Sequence, residues 1–373
     1  MPKTTQRGLI NSQSWDDYRW HLANRIVNVD ALRDWIDVTD DEAKAIEACA
    51  GVYRWSITPY YASLMDPVDP ECPVRRQAVP RMSEFEIRPG DDVDPVGDRQ
   101  YRKTNRVVHK YPDRAILLVT RACPVYCRHC TRKFHTTNVD GTYFGESEAL
   151  PYDEDVAYIA AHPEIRDVLL TGGDPLTYSD AKLDHLLGLL RAIPHVEILR
   201  IGTRFPVLLP QRITPAFCDM LERHHPMWVS THFNHPKELT SEAQAACDRL
   251  LRAGAPVQNQ TVLLKGINDD IHTMRALNTG LVRARVRPYY LYHCDNVTGV
   301  SHFQTSLQAG RDIMRQLEWS TTGFAVPEYV ITTTIGKIRV DGDHVTEDGA
   351  SLQIRNAPGE TLRLDLSDAK GTD

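Results

Sequence analysis

Three cysteines lie close together in the segment CPVYCRHC, at Cys123, Cys127 and Cys130. Thiolates at this density are typical ligands of zinc or of an iron–sulfur cluster. A structural zinc site takes about four protein ligands, and a cluster ligated entirely by protein takes about four cysteines. The C-x3-C-x2-C spacing supplies only three thiols, so it predicts a metal centre with one open coordination position.

The cysteine segment follows the first of six short apolar runs that are rich in β-branched and aromatic residues. Such runs, bounded by turn residues, predict strands, and they lie at 115–120, 167–171, 196–202, 227–233, 257–264 and 287–293. Helices are predicted at 179–193, 214–225 and 240–254, with Ser179 as an N-cap, Pro215 at a first helical position and Gly254 at a helix end. Alternating strands and helices form parallel βα units, so we expect an α/β fold.

Polar residues follow most of these strands. Because ligands of parallel barrels bind at the C-terminal ends of the strands, these residues are candidates for one shared site. They are the three cysteines, the GGDP turn at 172–175, TRF at 203–205, HFNH at 232–235 and the pair Cys294–Asp295, while Gln260 lies within the fifth strand. The alternative is that polar residues simply mark loops, as in any βα protein. The triple cysteine favours a site.

Composition narrows the class of protein. The formal net charge is −7 with 43 basic residues spread along the chain, which argues against a nucleic-acid surface. The N-terminal residues contain no apolar signal region, and no apolar run approaches the roughly 20 residues of a membrane helix. The other five cysteines are isolated from one another, unlike a disulfide framework. We therefore expect a cytoplasmic protein without a membrane segment.

Seven segments together resemble the lysine 2,3-aminomutase family of the radical S-adenosylmethionine (SAM) superfamily, in the same order. They are ITPYYASLMDPVDPECPVRRQAVP, HKYPDRAILLVT, YCRHCTRKF, LLTGGDPL, RIGTRFPVLLPQRIT, STHFNHPKE and RPYYLYHCD. The resemblance implies an incomplete (βα)6 radical SAM barrel at 115–302. It also implies an N-terminal helical and irregular extension at 1–114 and a C-terminal β-rich extension at 303–373 that carries a lysine for pyridoxal phosphate.

The resemblance assigns the metal and SAM ligands residue by residue. Cys123, Cys127 and Cys130 would hold a [4Fe–4S] cluster, and SAM would chelate its open iron. The glycine loop would approach the methionine moiety of SAM without a Cβ in the way. The residues expected to contact SAM are Gly172, Gly173, Asp174, His232 and Gln260.

The same resemblance assigns the pyridoxal phosphate and substrate residues. Lys110, Tyr111 and Arg114, in HKYPDR, match the cofactor pocket, although the family usually has arginine at the position of Lys110. Lys337, in IGKIRV, matches the catalytic lysine that forms the internal Schiff base. Substrate contacts are expected from Arg132 on the carboxylate and from Asp295 on a distal ammonium group.

The implied enzyme is an isomerase that moves the α-amino group of a basic L-amino acid to the β-carbon. Removing hydrogen from an unactivated Cβ is beyond any side-chain base, so the resemblance implies a 5′-deoxyadenosyl radical and a pyridoxal phosphate imine. L-lysine is expected first and L-arginine second. The expected partners are the amino acid, an electron donor such as flavodoxin or ferredoxin, and further copies of the chain in a homo-oligomer.

Three features depart from the family pattern. The lysine usually follows a loop of consecutive glycines, whereas here the stretch ITTTIGK contains one. Thr332 stands where lysine enzymes have an acidic residue, and no cysteine follows Cys294, so structural zinc is not expected. Two alternatives stay open at this point: a radical SAM enzyme of the same fold with other chemistry that need not use pyridoxal phosphate, or a non-catalytic iron–sulfur or zinc protein.

Overall fold

The computed structural model describes residues 10–137, 151–340, 342–348 and 351–365. Within these residues one nine-stranded sheet carries the fold, and its strands lie side by side in sequence order. They are β1 (Val107–Tyr111), β2 (Arg114–Thr120), β3 (Asp167–Gly172), β4 (Ile198–Gly202), β5 (Met227–Thr231), β6 (Val257–Leu263), β7 (Arg287–His293), β8 (Glu328–Thr333) and β9 (Gly336–Arg339). β2 to β8 are parallel, whereas β1 and β9 pair antiparallel at the two ends.

The incomplete βα barrel predicted from the sequence is confirmed. The six predicted strands correspond to β2 through β7, with ends that agree within two residues. The structure adds β8 as a seventh parallel strand, taken from the segment expected to lie in the C-terminal extension. It also adds β1, which no sequence pattern predicts because about half of its residues are polar. The two antiparallel end strands both carry predicted site residues.

Helices connect the strands and cover the sheet. They are α1 (Ser12–Asp16), α2 (Tyr18–Ala23), α3 (Val29–Arg33), α4 (Asp40–Cys49), α5 (Pro59–Ala62), α6 (Pro73–Arg76), α7 (Lys133–Thr137), α8 (Asp153–Ala160), α9 (Asp180–Arg191), α10 (Phe205–Leu208), α11 (Pro215–Glu222), α12 (Ser241–Arg252), α13 (Ile271–Arg283) and α14 (Leu307–Ser320). The predicted caps are confirmed: Ser179 accepts from Lys182 N–H, and Thr214 accepts from Phe217 N–H before Pro215.

The N-terminal extension packs directly on the barrel. The Thr58 hydroxyl donates to the Leu208 carbonyl at 2.7 Å, and the hydroxyls of Tyr60 and Thr240 are 2.6 Å apart. Tyr60 and Thr58 are buried, so these bonds are shielded from water. The extension is thereby fixed relative to the loops that follow the strands, and two of its residues, Val96 and Asp98, line the cavity of the barrel.

The C-terminal residues form a second, smaller sheet. Its strands are β10 (Val345–Asp348), β11 (Ser351–Arg355) and β12 (Thr361–Asp365), which pair antiparallel. Arg311 of α14 donates to the Val345 carbonyl at 3.2 Å and so connects this sheet to the barrel. Across the part of the chain that the structure describes, no helix combines the length and apolarity that a membrane crossing requires.

Candidate active site

A cavity of about 240 Å³ is lined by residues from all nine strands of the main sheet and from the loops after them. A complete barrel would fill this space with layers of side chains, whereas here the interior is open to a ligand. The cavity collects eight of the residues predicted from the sequence. These are Lys110, Tyr111, Arg114, Arg132, His232, Gln260, Asp295 and Lys337.

The three predicted cluster cysteines lie in the loop between β2 and α7. Burial raises the pKa of Cys123 well above its ordinary value, and the neighbouring Asp174, Cys130 and Cys127 raise it further. Burial, followed by the charge of Cys127, likewise raises the pKa of Cys130 to about 11. Three thiols held this close are costly to ionise without a cation, so the loop fits a positively charged metal centre.

Within the described residues, no set of three His, Cys, Asp or Glu side chains is placed to hold a single metal ion. A cluster makes a different demand from a single ion, because each thiolate binds a different iron. The loop geometry is set by hydrogen bonds of its own, such as Cys130 N–H to the Cys127 carbonyl at 3.3 Å. The Cys123 carbonyl accepts from Arg25 Nη1 at 3.3 Å.

A buried ion triad fixes the cysteine loop to the N-terminal extension. Glu84 accepts from Arg128 at 2.9 Å and from Lys133 Nζ at 2.7 Å, and the three side chains are at most 1% exposed. Lys133 also donates to the Gly299 carbonyl at 3.0 Å. Arg128 and Lys133 flank the last cysteine, so residue 84 holds both sides of it. Burial alone would raise the pKa of Glu84, but the charges of Arg128 and Lys133 lower it to about 2.

The glycine loop packs against the backbone of the cysteine loop. A Cβ on Gly173 would lie 2.4 Å from the Ala122 carbonyl oxygen, and a Cβ on Gly172 would lie 2.6 Å from the Thr120 oxygen. Gly172 also has a φ of +119°, which favours glycine. The expectation from the resemblance was an approach to SAM. The structure shows an additional reason for the glycines, which is that the two loops touch each other.

Asp174 bonds the glycine loop to the loop after β4. Its carboxylate accepts from the Thr203 hydroxyl at 2.7 Å, from Arg204 N–H at 2.8 Å and from Leu176 N–H at 3.1 Å. Burial raises the pKa of Asp174 to about 6. With Gly172 and Gly173, it lies behind the cavity and does not belong to its lining.

Lys337 lies at the start of β9 on a tight hairpin. Thr333 of β8 pairs with Gly336, so the stretch ITTTIGK forms a hairpin turn in place of the glycine loop that the resemblance implies. The Lys337 ammonium lies 4.1 Å from the ring centroid of Tyr290 and 4.9 Å from that of Tyr292. Burial, followed by the positive charges of Arg200 and Arg114, lowers the pKa of Lys337 to about 7. A neutral amine, which is the nucleophilic form, is therefore accessible near neutral pH.

Tyr111 and Arg114 hold the backbone beside this lysine. The Tyr111 hydroxyl accepts from Lys337 N–H at 2.7 Å, and the Arg114 guanidinium stacks 3.9 Å from the Tyr111 ring centroid. Lys110 donates to the Val96 carbonyl at 2.8 Å and to the Thr333 carbonyl, and burial lowers its pKa to about 8. All three predicted residues therefore meet at the hairpin, with Lys110 anchored mainly to backbone.

Arg132 projects into the cavity and has a carboxylate partner from the extension. Its Nε donates to Asp98 Oδ2 at 2.6 Å, and its Nη2 approaches Asp98 Oδ1 at 3.4 Å. Arg132 is 23% exposed and Asp98 is 6% exposed. The arginine fork therefore binds a carboxylate in this structure, which is the interaction predicted for a substrate carboxylate.

Asp295 faces the cavity with one oxygen bound and one oxygen open. Oδ2 accepts from the Thr131 hydroxyl at 2.6 Å. Oδ1 is buried and has no hydrogen-bond partner among the described residues. Burial raises the pKa of Asp295 to about 6, while Thr131 and the nearby cations Arg132, Lys110 and Lys337 oppose this shift. A buried carboxylate oxygen without a donor predicts a ligand that supplies one.

His232 and Gln260 lie on neighbouring elements at the cavity wall. His232 follows β5, and its carbonyl accepts from Arg204 Nε at 2.9 Å. Burial and the charge of Arg204 lower the pKa of the His232 imidazole to about 4, so the ring is neutral at physiological pH. Gln260 is on β6 next to a register shift that follows Asn259. A neutral ring and an amide can both hydrogen-bond a polar ligand such as SAM.

Sequence reasoning missed several residues that the structure places at the site. Asp98 and Thr131 bond directly to the two predicted substrate residues, and Arg200 of β4 lines the cavity while donating to Asp167 at 2.8 Å. Tyr290 and Tyr292 form the wall around the lysine. A signal existed for Arg200 and the tyrosines, because polar residues within a buried parallel strand must face a polar interior. None existed for Asp98.

Comparison with known proteins identifies close relatives. The sequence profile of the Radical SAM superfamily matches residues 117–277. L-lysine 2,3-aminomutase from Fusobacterium nucleatum is 45% identical over 325 residues, which cover 86% of this chain and 75% of that protein. The enzyme of the same name from Acetoanaerobium sticklandii is 44% identical over 362 residues, covering 96% and 86%. Glutamate 2,3-aminomutase from Clostridioides difficile is 43% identical over 356 residues, covering 95% and 83%. Overall identity therefore does not separate the two substrates.

Proposed function

Because the chain belongs to the lysine 2,3-aminomutase family of radical SAM enzymes, we propose that it moves the α-amino group of a basic L-amino acid to the β-carbon. The protein is an isomerase, as its relatives are. L-lysine is the first candidate substrate and L-arginine the second. The observation that carries this choice is the buried, half-bonded carboxylate of Asp295 in the cavity.

Enzymes of this family use a [4Fe–4S] cluster, SAM and pyridoxal phosphate, and the residues present here fit these groups. Three mutually interacting thiols suit the cluster. A cavity with a buried lysine of lowered pKa suits pyridoxal phosphate. When bound, the cluster and SAM make it possible to remove a hydrogen atom from an unactivated carbon, and pyridoxal phosphate supplies the π system that nitrogen migration requires.

Lys337 would supply the amine that binds pyridoxal phosphate covalently. Its lowered pKa means that a large fraction of the side chain is uncharged near pH 7, so no strong base is needed to activate it. Tyr111 and the hairpin fix its backbone, so the motion left to it is rotation of its four-carbon stem. Arg114 and Lys110 place positive charge on the same side, which suits an anionic cofactor.

Arg132 would orient the substrate through its α-carboxylate. Its guanidinium is already directed by Asp98, which fixes the plane of the fork. A substrate carboxylate at this position joins or replaces Asp98 as the partner of Arg132. Because the pairing is bidentate in character, it sets the direction of the substrate as well as its position.

Asp295 would then select the far end of the substrate side chain. Its open Oδ1 can accept a hydrogen bond from a distal ammonium or guanidinium group. An apolar side chain would leave this buried oxygen unpaired, and an acidic side chain would be repelled, at a penalty of several kcal/mol. Thr332, which lines the same cavity, supplies no second charge. One carboxylate can bind guanidinium bidentately, which keeps arginine close behind lysine.

The test is turnover of a panel of L-amino acids by the reconstituted enzyme under anaerobic conditions. Lysine, arginine, ornithine, norleucine, glutamate and alanine would be supplied singly and in pairs, and β-amino acids would be identified by mass spectrometry. We expect β-lysine as the main product and β-arginine as the second. If the enzyme converts glutamate or alanine but neither lysine nor arginine, the role given to Asp295 is refuted.

We further propose a one-electron donor such as flavodoxin or ferredoxin, and assembly into a homo-oligomer. The cluster must be reduced before SAM can be cleaved, which calls for an external electron source. Reduction of the cluster by purified flavodoxin, followed by EPR, tests the first proposal. Light scattering of the reconstituted protein tests the second, and a monomeric mass would refute it.

A further inference from the structure

A buried guanidinium touches one of the three predicted cluster ligands. Arg204, in the loop between β4 and α10, donates from Nη1 to the Cys127 sulfur at 2.8 Å. The arginine side chain is 7% exposed, so water screens this contact very little. The sequence marks TRF at 203–205 as part of a candidate site, but it assigns Arg204 no role of its own.

The rest of the guanidinium is held from three directions. Nε donates to the His232 carbonyl at 2.9 Å, and Nη2 donates to Glu238 Oε1 at 2.7 Å and to Gln77 Oε1 at 2.5 Å. Nη1 is the nitrogen that contacts the sulfur of Cys127. The side chain therefore has little freedom to turn away from the cysteine.

The carboxylate behind the arginine is equally constrained. Glu238 is fully buried and accepts from Tyr61 Oη at 2.7 Å, from Gln77 Nε2 at 3.2 Å and from Asn234 N–H at 2.7 Å, besides its bond to Arg204. Tyr61 and Gln77 belong to the N-terminal extension. The extension thus helps to set the position of a charge beside the cysteine loop.

We infer that Arg204 is a positioning residue that sets the reduction potential of the cluster held by Cys127, with Glu238 and the N-terminal extension holding it in place. Reduction adds one electron to the cluster, supplied by the external donor, and so adds one negative charge. A cation and an N–H donor at a ligand sulfur stabilise the reduced form more than the oxidised form, which raises the potential. Glu238 contacts Nη2 of the same guanidinium and not the sulfur, so its charge acts on the cluster with the opposite sign and more weakly.

This inference goes beyond the proposed function, since it concerns electron entry and not the amino acid. It rests on ligation of the cluster by the three cysteines. Wild-type protein is therefore reconstituted first and assayed for iron and sulfide. Failure of the wild-type protein to bind about four irons would refute the cluster assignment itself. If wild-type protein binds the cluster but replacing Arg204 does not change its reduction potential, only the inference is refuted.

The experiment is an EPR-monitored redox titration of reconstituted full-length protein with dithionite and mediators. The first variant is R204M/E238Q, which removes the cation without leaving its buried counter-ion unpaired. At the wild-type midpoint potential we expect its reduced-to-oxidised ratio to fall about tenfold, which for one electron is a shift of about 59 mV to lower potential. Iron content should remain at the wild-type level.

The second variant is Glu238→Gln, which keeps Arg204 and removes the opposing charge. We expect its midpoint to shift the other way, to higher potential, by a smaller amount. Opposite signs are the signature of an electrostatic role, because structural damage to the loop would not raise the potential in one variant and lower it in the other. The glutamine oxygen can still accept from Arg204 and Tyr61, but its amide nitrogen cannot accept from Asn234 N–H, so iron content is measured in this variant as well.

The matched control is R106M/D155N, a buried pair of the same chemistry that joins the segment before β1 to α8 at 2.8 Å. Its midpoint should equal that of the wild type. Equal midpoints in all four proteins at full iron content would overturn the inference. So would loss of the cluster from both Arg204 and Glu238 variants while the control retains it, since the network would then support the loop without tuning its potential.

Discussion

Replacing Asp295 by asparagine should remove the preference for a cationic side chain while leaving the fold intact. Asparagine has the same shape and can still accept from the Thr131 hydroxyl, which is the one protein hydrogen bond of this side chain in the described residues. What is lost is the negative charge facing the cavity. The informative comparison is between lysine and norleucine, which differ only in the distal ammonium group.

The size of the effect follows from burial. Removing one partner of a buried ion pair costs about 3 kcal/mol at the lower end of the usual range. Since each 1.4 kcal/mol is about tenfold, the kcat/KM ratio of lysine to norleucine should fall about 100-fold. A surface control, Glu197→Gln, removes an exposed carboxylate paired with Arg166 and should leave the ratio unchanged.

The pH dependence provides a second test of the same residue. The pKa of Asp295 is raised to about 6, so its charge is present at pH 8 and is lost as pH falls through 6. Wild-type selectivity for lysine should decline over that interval, because kcat/KM reports ionisation of the free enzyme. Lys337, with a pKa of about 7, affects both substrates alike and cancels in the ratio.

The assay is competition between lysine and norleucine from pH 5.5 to 8, with both β-isomers quantified by mass spectrometry. In Asp295→Asn the ratio should be low and independent of pH. An unchanged ratio, or a ratio that still varies through pH 6 in this variant, would show that another group recognises the ammonium. Thr332 would then be the next residue to replace, since it lines the same cavity.

Three further predictions concern the cofactor residues. Apo-protein should capture pyridoxal phosphate on Lys337 with a rate that rises with pH and is half-maximal near pH 7, the pKa of this amine; borohydride reduction and peptide mapping measure it, and label on another lysine or a midpoint near 10 would contradict it. Alanine at all three cluster cysteines should abolish iron binding and SAM cleavage, and formation of 5′-deoxyadenosine by that variant would disprove the ligand assignment. Gly173→Ala should destabilise the protein by about 1–3 kcal/mol in chemical denaturation, because its Cβ would lie 2.4 Å from the Ala122 carbonyl oxygen; full stability would show that the two loops separate freely.

The barrel was predictable because its signals are local. A strand of a parallel sheet that is covered on both faces is a nearly continuous apolar run, and helix caps such as Ser179 are read from neighbouring residues. β1 escaped prediction because it is half polar and lies at the edge, where Tyr111 pairs with Arg114 across a two-residue turn. In sequence the same residues resemble an exposed loop.

Most of the site residues were predicted from the resemblance to the family. The structure explains why local sequence patterns could not have predicted them. Lys110 and Thr333 are 223 positions apart and meet only because β1 and β8 are brought together in the folded chain. Asp98 and Gln77 lie in irregular segments without periodicity, and their partners are set by how the extension packs on the barrel. Long-range pairing of this kind is decided by tertiary structure, which a single sequence does not display.

The hairpin that presents Lys337 changes how mobility is distributed in this site. In a longer glycine loop, the backbone itself could move when a lysine exchanges between its free and bound states. Here the strand pairing of Thr332 with Lys337 and the bond from Lys337 N–H to Tyr111 fix the Cα position. If Lys337 binds pyridoxal phosphate as proposed, exchange would therefore come from rotation of the side-chain stem between Tyr290 and Tyr292, whose rings limit its path. The hairpin thus leaves the lysine backbone in place, so the motion would fall to the side chain, which the four-carbon stem of lysine can provide.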